Sequence, residues 1–138
     1  MIRVVLDTNI LISSIFWKGS CQKIIDFAVA GKIKSLTCAE ILEEIESVLS
    51  DDFPDVPYTK IDEIIRDVLS YSEIVTTEEL LITGLRDIKD TKIIACALGG
   101  KADYIITGDK DLLTIKAYEG IPIVNPSEFL SSIMKKKP

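Results

Sequence analysis

The residues in this chain that could carry out chemistry are aspartates that follow strongly apolar runs. Asp7 directly follows the run Ile2 to Leu6, and Asp109 and Asp111 follow the run Tyr104 to Thr107. A plain turn rarely needs two acids directly after a buried strand, so the second group is the strongest local signal in the chain. Side chains that follow the strands of a parallel sheet reach the crevice beyond its carboxyl edge, where ligands bind. Carboxylates gathered in that crevice could hold a metal ion.

A glutamate on the helix predicted over residues 39–49 could join these aspartates. At 100° per residue, Glu44 and Glu46 flank the apolar stripe of this helix, whereas Glu40 and Glu43 project to the far side. Helical periodicity alone does not choose between Glu44 and Glu46. The structural alternative for all four glutamates is a solvated helix face, and we expect that alternative for Glu40 and Glu43.

Asp90 stands at the start of a later predicted helix, and Asp87 lies three residues before it. The ordinary role of an aspartate at a helix start is to cap the first backbone N–H groups, and Asp7 could do the same for the helix that follows it. The functional alternative is that Asp7 and Asp90 open toward the carboxyl edge of the sheet. We expect Asp87 to be structural.

The composition narrows the chemistry that these acids can support. The chain contains no histidine, which excludes histidine-based proton transfer, histidine-ligated zinc and a Ser-His-Asp triad. Cys21, Cys38 and Cys96 form no C-x-x-C pair and lie in or beside apolar stretches, so we expect buried free thiols. Converging carboxylates repel one another unless a cation joins them, and oxygen ligands alone select Mg²⁺ or Mn²⁺ over zinc. Such an ion can activate water for the hydrolysis of a phosphodiester.

Length and charge limit the class of protein. The 138 residues fit one domain, which we place at residues 1–134, followed by a basic tail at 135–138. The net charge of −6 counts against general electrostatic attraction to nucleic acid or to an anionic membrane. The amino terminus reads as a strand rather than a signal peptide, and no apolar segment approaches the ~20 residues of a membrane span. We therefore expect a cytoplasmic protein with no membrane partner.

Short β-branched runs alternate with longer helical stretches along the chain. The predicted strands cover residues 2–6, 33–37, 72–76, 104–107 and 121–124. The predicted helices cover residues 22–30, 39–49, 59–69, 90–98 and 126–134. This alternation predicts an α/β fold, a three-layer α/β/α sandwich with a central parallel sheet of about five strands.

Together these motifs resemble the PIN-domain family, over residues 7–130. The resemblance begins with Leu-Asp-Thr-Asn around Asp7 and includes the glutamate on the helix after the second strand. It continues through Arg86-Asp87 to Asp90 and through the segment ALGGKADYIITGDKDLL at 97–113. It closes with IPIVNP at 121–126 and EFL at 128–130. The motifs are specific in combination, and they are most similar to the toxin components of toxin–antitoxin systems, such as VapC-like ribonucleases.

The resemblance implies roles for particular residues. It favours Glu44 over Glu43 and Glu46 as the metal-binding glutamate. The acids on the family's metal-binding and catalytic positions are Asp7, Glu44, Asp90 and Asp109, with Asp111 as an additional ligand. Asn9 and Thr107 match polar positions that orient the first acid or the substrate phosphate. The stretch from Asp87 to Lys92 departs from the family's usual version, which contains proline and asparagine, and this puts the substrate fit at that rim in doubt.

The implied activity is Mg²⁺- or Mn²⁺-dependent hydrolysis of single-stranded RNA by an endoribonuclease, with a cognate antitoxin and a homodimer as implied partners. Phe16 and Trp17 are candidates for the dimer contact or for stacking on a base. The lysines near the predicted active edge could bind phosphate or could simply be solvated. They are Lys18, Lys89, Lys92 and Lys110.

Two other functions remain open. The segment Gly108 to Asp111 resembles the metal motif of haloacid-dehalogenase-type phosphatases, but those enzymes require an aspartate two residues after the nucleophile, where this chain has Asn9. The other alternative is a non-catalytic binding module that has kept the PIN fold. The presence of all four expected acids counts against it.

Overall fold

The computed structural model describes residues 1–77 and 88–135 of the chain, and the side chains of residues 1–77 and 91–133. Its strands are β1 (Ile2–Leu6), β2 (Ile33–Thr37), β3 (Ser72–Ile74), β4 (Tyr104–Ile106), β5 (Ala117–Tyr118) and β6 (Ile121–Val124). They form one sheet in the order β3-β2-β1-β4-β6-β5. The first five strands in that order pair in parallel, and β5 pairs antiparallel to β6.

The helices are α1 (Thr8–Phe16), α2 (Ser20–Val29), α3 (Ala39–Asp52), α4 (Tyr58–Tyr71), α5 (Ile88–Gly99), α6 (Lys110–Ile115) and α7 (Pro126–Lys135). Helix α5 packs on β1, β2 and β4, while α7, α2, α1, α3 and α4 contact one another in that order. Right-handed crossovers place α1 to α4 on the face of the sheet opposite α5. The result is the three-layer sandwich that the sequence predicts.

The core lies between the sheet and its two helical layers. The central strands are apolar on both faces, as expected for parallel strands covered on both sides, and Val5, Leu36 and Ile105 are fully buried. On α3, Ile41 and Ile45 repeat at the spacing of one helical face and are also fully buried. This packing fixes the level at which the central strands end, and so fixes the edge where the acids emerge.

Gly100, directly after the end of helix α5, packs closely against neighbouring side chains. A Cβ on Gly100 would lie 2.8 Å from side-chain atoms of both Leu36 and Val75. Because that spacing is shorter than a carbon–carbon contact allows, a larger residue would push the end of α5 away from the sheet. Gly100 thus has a packing role.

Most predicted elements are confirmed, including the five parallel strands. The sequence prediction missed α1, α6 and β5, and it started α5 at Asp90, whereas the helix begins at Ile88. Helix α1 carries isoleucine or leucine at four of its nine positions without a polar face, so its sequence has no amphipathic pattern to detect. Helix α6 and β5 are six and two residues long, too short for periodicity.

The cysteines are free thiols, with Cys38 and Cys96 buried and Cys21 half-buried. Within the described residues, none of the helices combines the length and apolarity that crossing a membrane requires.

Candidate active site

Asp7 leaves the carboxyl end of β1 beside the end of β4. The two strands are direct neighbours, with Leu6 opposite Ile106. The residues that follow them, Asp7 and Thr107, therefore come together. Thr107 donates its hydroxyl hydrogen to Oδ2 of Asp7 at 2.6 Å, and both side chains are buried. The Asp7 carboxylate makes no side-chain capping bond to α1. Its bond from Thr107 lies outside α1, so Asp7 does not serve only as a helix cap.

Asp109 lies on the other side of Thr107. Its backbone N–H donates to Oγ1 of Thr107 at 3.0 Å, so this one hydroxyl links Asp109 to Asp7. Oδ1 of Asp109 accepts the backbone N–H of Asp111 at 2.9 Å and caps α6. The Asp111 side chain is exposed in the first turn of that helix. Asp109 is thus held from both sides, whereas Asp111 projects from the rim of the crevice.

Glu44 approaches the same edge from α3. Of the glutamates left open by periodicity, Glu44 is half-buried and Glu46 is exposed, as are Glu40 and Glu43. Glu44 forms an ion pair with the ammonium of Lys92 on α5, and this pair joins the two helices. Tertiary packing thus distinguishes Glu44 from Glu46 where sequence periodicity could not.

Asp90 lies in the first turn of α5, the helix that carries Lys92. Because α5 begins at Ile88, Asp90 is inside the helix, and the N-cap position expected for it is wrong. The side chains of Lys89 and Asp90 and the whole of Asp87 lie outside the described residues.

The electrostatics of Asp7 show which acids share its surroundings. Burial raises the pKa of Asp7, and the bonds from Thr107 and from the Thr8 backbone oppose that rise. The negative charges of Glu44 and Asp109 raise the pKa of Asp7 further, so both acids lie within electrostatic reach of it. Glu44 and Asp109 therefore both lie near Asp7 at the carboxyl edge of the sheet, although the three acids are distant in sequence.

The chemistry of this donor set suits a divalent cation. Asp7, Glu44 and Asp109 offer only oxygen atoms, the ligands that Mg²⁺ and Mn²⁺ prefer. The ammonium of Lys92 already forms an ion pair with Glu44. In their described positions no three His, Cys, Asp or Glu side chains are grouped closely enough to hold one ion. A cation bound by all three acids would have to draw them closer together.

Three of the other predicted polar residues are exposed. Asn9, Lys18 and Lys110 are exposed, Asn9 in the first turn of α1 and Lys110 in the first turn of α6. Thr8, next to Asp7, has a buried hydroxyl with no hydrogen-bond partner among the described residues.

The sequence interpretation named Lys92 only as a phosphate contact and missed its pairing with Glu44. No local pattern relates positions 44 and 92, which lie on helices from different crossovers. The position of Lys92 directly before the buried Ile93 and Ile94 was the one available sign that it would be half-buried.

Comparison with known proteins places this site in a family. A PIN-domain family model matches residues 3–111, well over half of the chain. No curated protein sequence matches significantly. Among solved structures, the fold is similar to a chain in the crystal structure of VapBC2 from Rickettsia felis bound to a DNA fragment from their promoter. The TM-score is 0.63 at 16% identity, and the match covers 90% of this chain and 98% of that one. The extent of the family match, with the fold and the acidic edge, establishes that this chain belongs to the PIN-domain family.

Proposed function

We propose that this PIN domain is a Mg²⁺- or Mn²⁺-dependent endoribonuclease that hydrolyses phosphodiester bonds in single-stranded RNA. The observation that carries the proposal is that the carboxylate of Asp7 is buried and makes no side-chain capping bond to α1. Glu44 and Asp109 lie within electrostatic reach of this carboxylate. PIN domains are generally nucleases that use divalent ions, and this arrangement of acids supports that activity here.

In the proposed mechanism, Asp7, Glu44, Asp90 and Asp109 would hold the ion, and Asp111 would add a ligand from the rim. A bound divalent ion would supply the positive charge that activates water and stabilises the phosphodiester transition state. Thr107 orients the Asp7 carboxylate through its 2.6 Å hydrogen bond and fixes the turn that carries Asp109. Asn9 contributes a polar group at the mouth of the crevice. With no histidine in the chain, proton transfer falls to carboxylates and water.

The direct test is cleavage of a labelled single-stranded RNA with Mn²⁺, Mg²⁺ or EDTA. We expect cleavage only with metal. Asp7→Asn and Glu44→Gln should lower it by roughly 100-fold or more, because each removes a charge that holds the ion. Glu46→Gln is the matched control, since Glu46 lies on the same helix but is exposed, and it should cleave like wild type.

Three results would contradict the proposal. Wild-type protein that fails to cleave RNA with either metal would favour a non-catalytic PIN module, and turnover of an aryl phosphate instead would favour a phosphatase. Equal cleavage by wild type and Asp7→Asn would point to a contaminating nuclease.

We further propose that the chain is the toxin of a toxin–antitoxin pair and acts in the cytoplasm. The support is the similarity of its motifs to VapC-like toxins and of its fold to a chain of the VapBC2 complex. Expression without an antitoxin should arrest growth, and Asp7→Asn should abolish the arrest. Normal growth with abundant wild-type protein would contradict the toxin role.

We also propose a homodimer that uses the aromatic residues at the end of α1. Trp17 is 60% exposed and packs edge-on against Phe16, which stacks on Phe53 at 4.7 Å between ring centroids. Trp17→Lys should convert a dimer to a monomer in light scattering, whereas Val29→Lys, at another exposed apolar residue, should not. A wild-type monomer at micromolar concentration would contradict this proposal.

A further inference from the structure

The ion pair between Glu44 and Lys92 differs from the other ion pairs among the described residues. Its side chains are only 22% and 21% exposed, whereas those of Arg3–Glu73 and Lys60–Glu63 are 32–62% exposed. It also lies at the acidic edge, where the charge of Glu44 acts on Asp7. Lys92 is therefore a half-buried cation that pairs with Glu44 and also lies within electrostatic reach of Glu40.

A half-buried carboxylate among other acids needs a cation. Partial burial weakens the screening by water, so repulsion between Glu44, Asp7 and Asp109 is costly when nothing balances it. In the metal-free protein the ammonium of Lys92 supplies that balance for Glu44. A divalent ion bound by the same carboxylate would supply it instead, and an ammonium offers no ligand to a metal.

We propose that Lys92 is an internal counter-cation for Glu44, which holds the glutamate in place without metal and is displaced when the ion binds. Lys92 is then a positioning residue and a competitor of the metal. It stabilises the empty acid cluster and weakens metal affinity. This inference rests on the proposed function, because it requires that the acids bind a divalent ion.

The test uses two measurements on purified protein, the melting temperature in EDTA and the Mn²⁺ affinity by titration calorimetry. Lys92→Gln should lower the metal-free melting temperature because it leaves Glu44 unpaired. It should also bind Mn²⁺ more tightly, by about fivefold for a pair worth about 1 kcal/mol. Lys60→Gln is the control, since Lys60 pairs with Glu63 on exposed positions of α4 and should change neither measurement.

Lys92→Arg keeps the test decisive if Lys92→Gln does not fold. A guanidinium can grip a carboxylate with two parallel hydrogen bonds, so this variant should keep the metal-free melting temperature and bind Mn²⁺ more weakly than wild type. The opposite directions of the two affinity changes distinguish competition from general damage to the site.

Mn²⁺ affinity that falls or stays the same in Lys92→Gln would overturn the inference, as would an affinity in Lys92→Arg equal to or tighter than wild type. Failure of wild-type protein to bind Mn²⁺ would instead overturn the proposed function. In that case a drop in the melting temperature of Lys92→Gln would still establish the counter-cation, without a metal to displace it.

Discussion

Two charged clusters lie at the opposite ends of helix α5, and they balance their charges differently. At the carboxyl end of α5, the Arg3 guanidinium donates to both oxygens of Glu73, at 2.7 and 3.3 Å, and to the carbonyl oxygen of Gly100 at 3.0 Å. The backbone N–H of Arg3 donates to Asp103 at 2.8 Å. Both carboxylates of this cluster, Glu73 and Asp103, lie beside the positive charge of Arg3.

At the amino end of α5, negative charge is in excess. Asp7 is buried beside a threonine hydroxyl, and Lys92 pairs with Glu44. The charges of Glu44 and Asp109 both add to the unfavourable surroundings of the Asp7 carboxylate. Carboxylates in such unfavourable surroundings cluster at functional sites, so this difference supports the proposal that the acidic edge is the active site.

A cavity lies beside the balanced cluster, lined by Arg3, Glu73, Ile74, Gly100 and Lys101 among others. At the other end of α5, the excess of negative charge around Asp7 supports the proposed cation site.

The largest expected effect is a difference in RNA cleavage between variants of two aspartates that flank strand β4. Asp109 follows the strand at the acidic edge, and Asp103 precedes it at the balanced cluster. Asp109→Asn should lower kcat/KM for RNA cleavage by roughly 100-fold or more because it removes a proposed ligand charge. Asp103→Asn keeps an oxygen to accept from Arg3 and should retain activity. Similar losses in both variants would break the distinction between the clusters.

Thr107→Val should have the next largest effect. It removes the hydroxyl that joins Asp7 to the Asp109 turn, and loss of such an orienting group costs about 10–100-fold in metal affinity or activity. Thr107→Ser keeps the hydroxyl and should restore most of both. Calorimetry with Mn²⁺ and cleavage rates measure the two quantities, and a fully active Thr107→Val would show that Asp7 needs no orienting bond.

Asp7→Asn should stabilise the metal-free protein. Because the folded-state pKa of Asp7 is raised, ionisation of Asp7 opposes folding, and stability is lost as the pH rises through that pKa. The melting temperature of Asp7→Asn in EDTA at pH 7 should therefore exceed that of wild type, by about 4 °C per 1 kcal/mol gained. The difference should shrink as the pH is lowered toward about 4, near the unfolded-state pKa of aspartate. If Asp7→Asn were less stable than wild type at pH 7, the conclusion that ionisation of Asp7 opposes folding would be wrong.

Glu73→Gln should give the smallest effect and the opposite sign. The hydrogen bond from Arg3 lowers the pKa of Glu73, so this contribution to stability is present at neutral pH and is lost as the pH falls through the folded-state pKa. Glu73 is exposed, and thermal melts at pH 7 should show a decrease of no more than about 2 °C. High salt should reduce the decrease, because salt screens exposed pairs. An increase in melting temperature would mean that the charge of Glu73 does not stabilise the Arg3 cluster.

Much of the architecture follows from local sequence. The five parallel strands were predicted because β-branched apolar runs alternate with helical stretches, and β1, β2 and β6 have the bounds that were expected. The apolar segment of α1 was missed because its sequence has no polar face, and the start of α5 was misplaced because an aspartate before an apolar stripe is typical of an N-cap.

The sequence by itself determined the kind of chemistry available to this protein, because residue types and their order along the chain fix which atoms can act as ligands. With no histidine and with acids after β1 and β4, it left oxygen donors at the carboxyl edge of a parallel sheet. Only the tertiary structure decided which acids meet and what balances them. The choice of Glu44 over Glu46, the hydroxyl bridge through Thr107 and the Lys92 counter-charge arise from the packing of elements far apart in the chain, and no local periodicity encodes such distances.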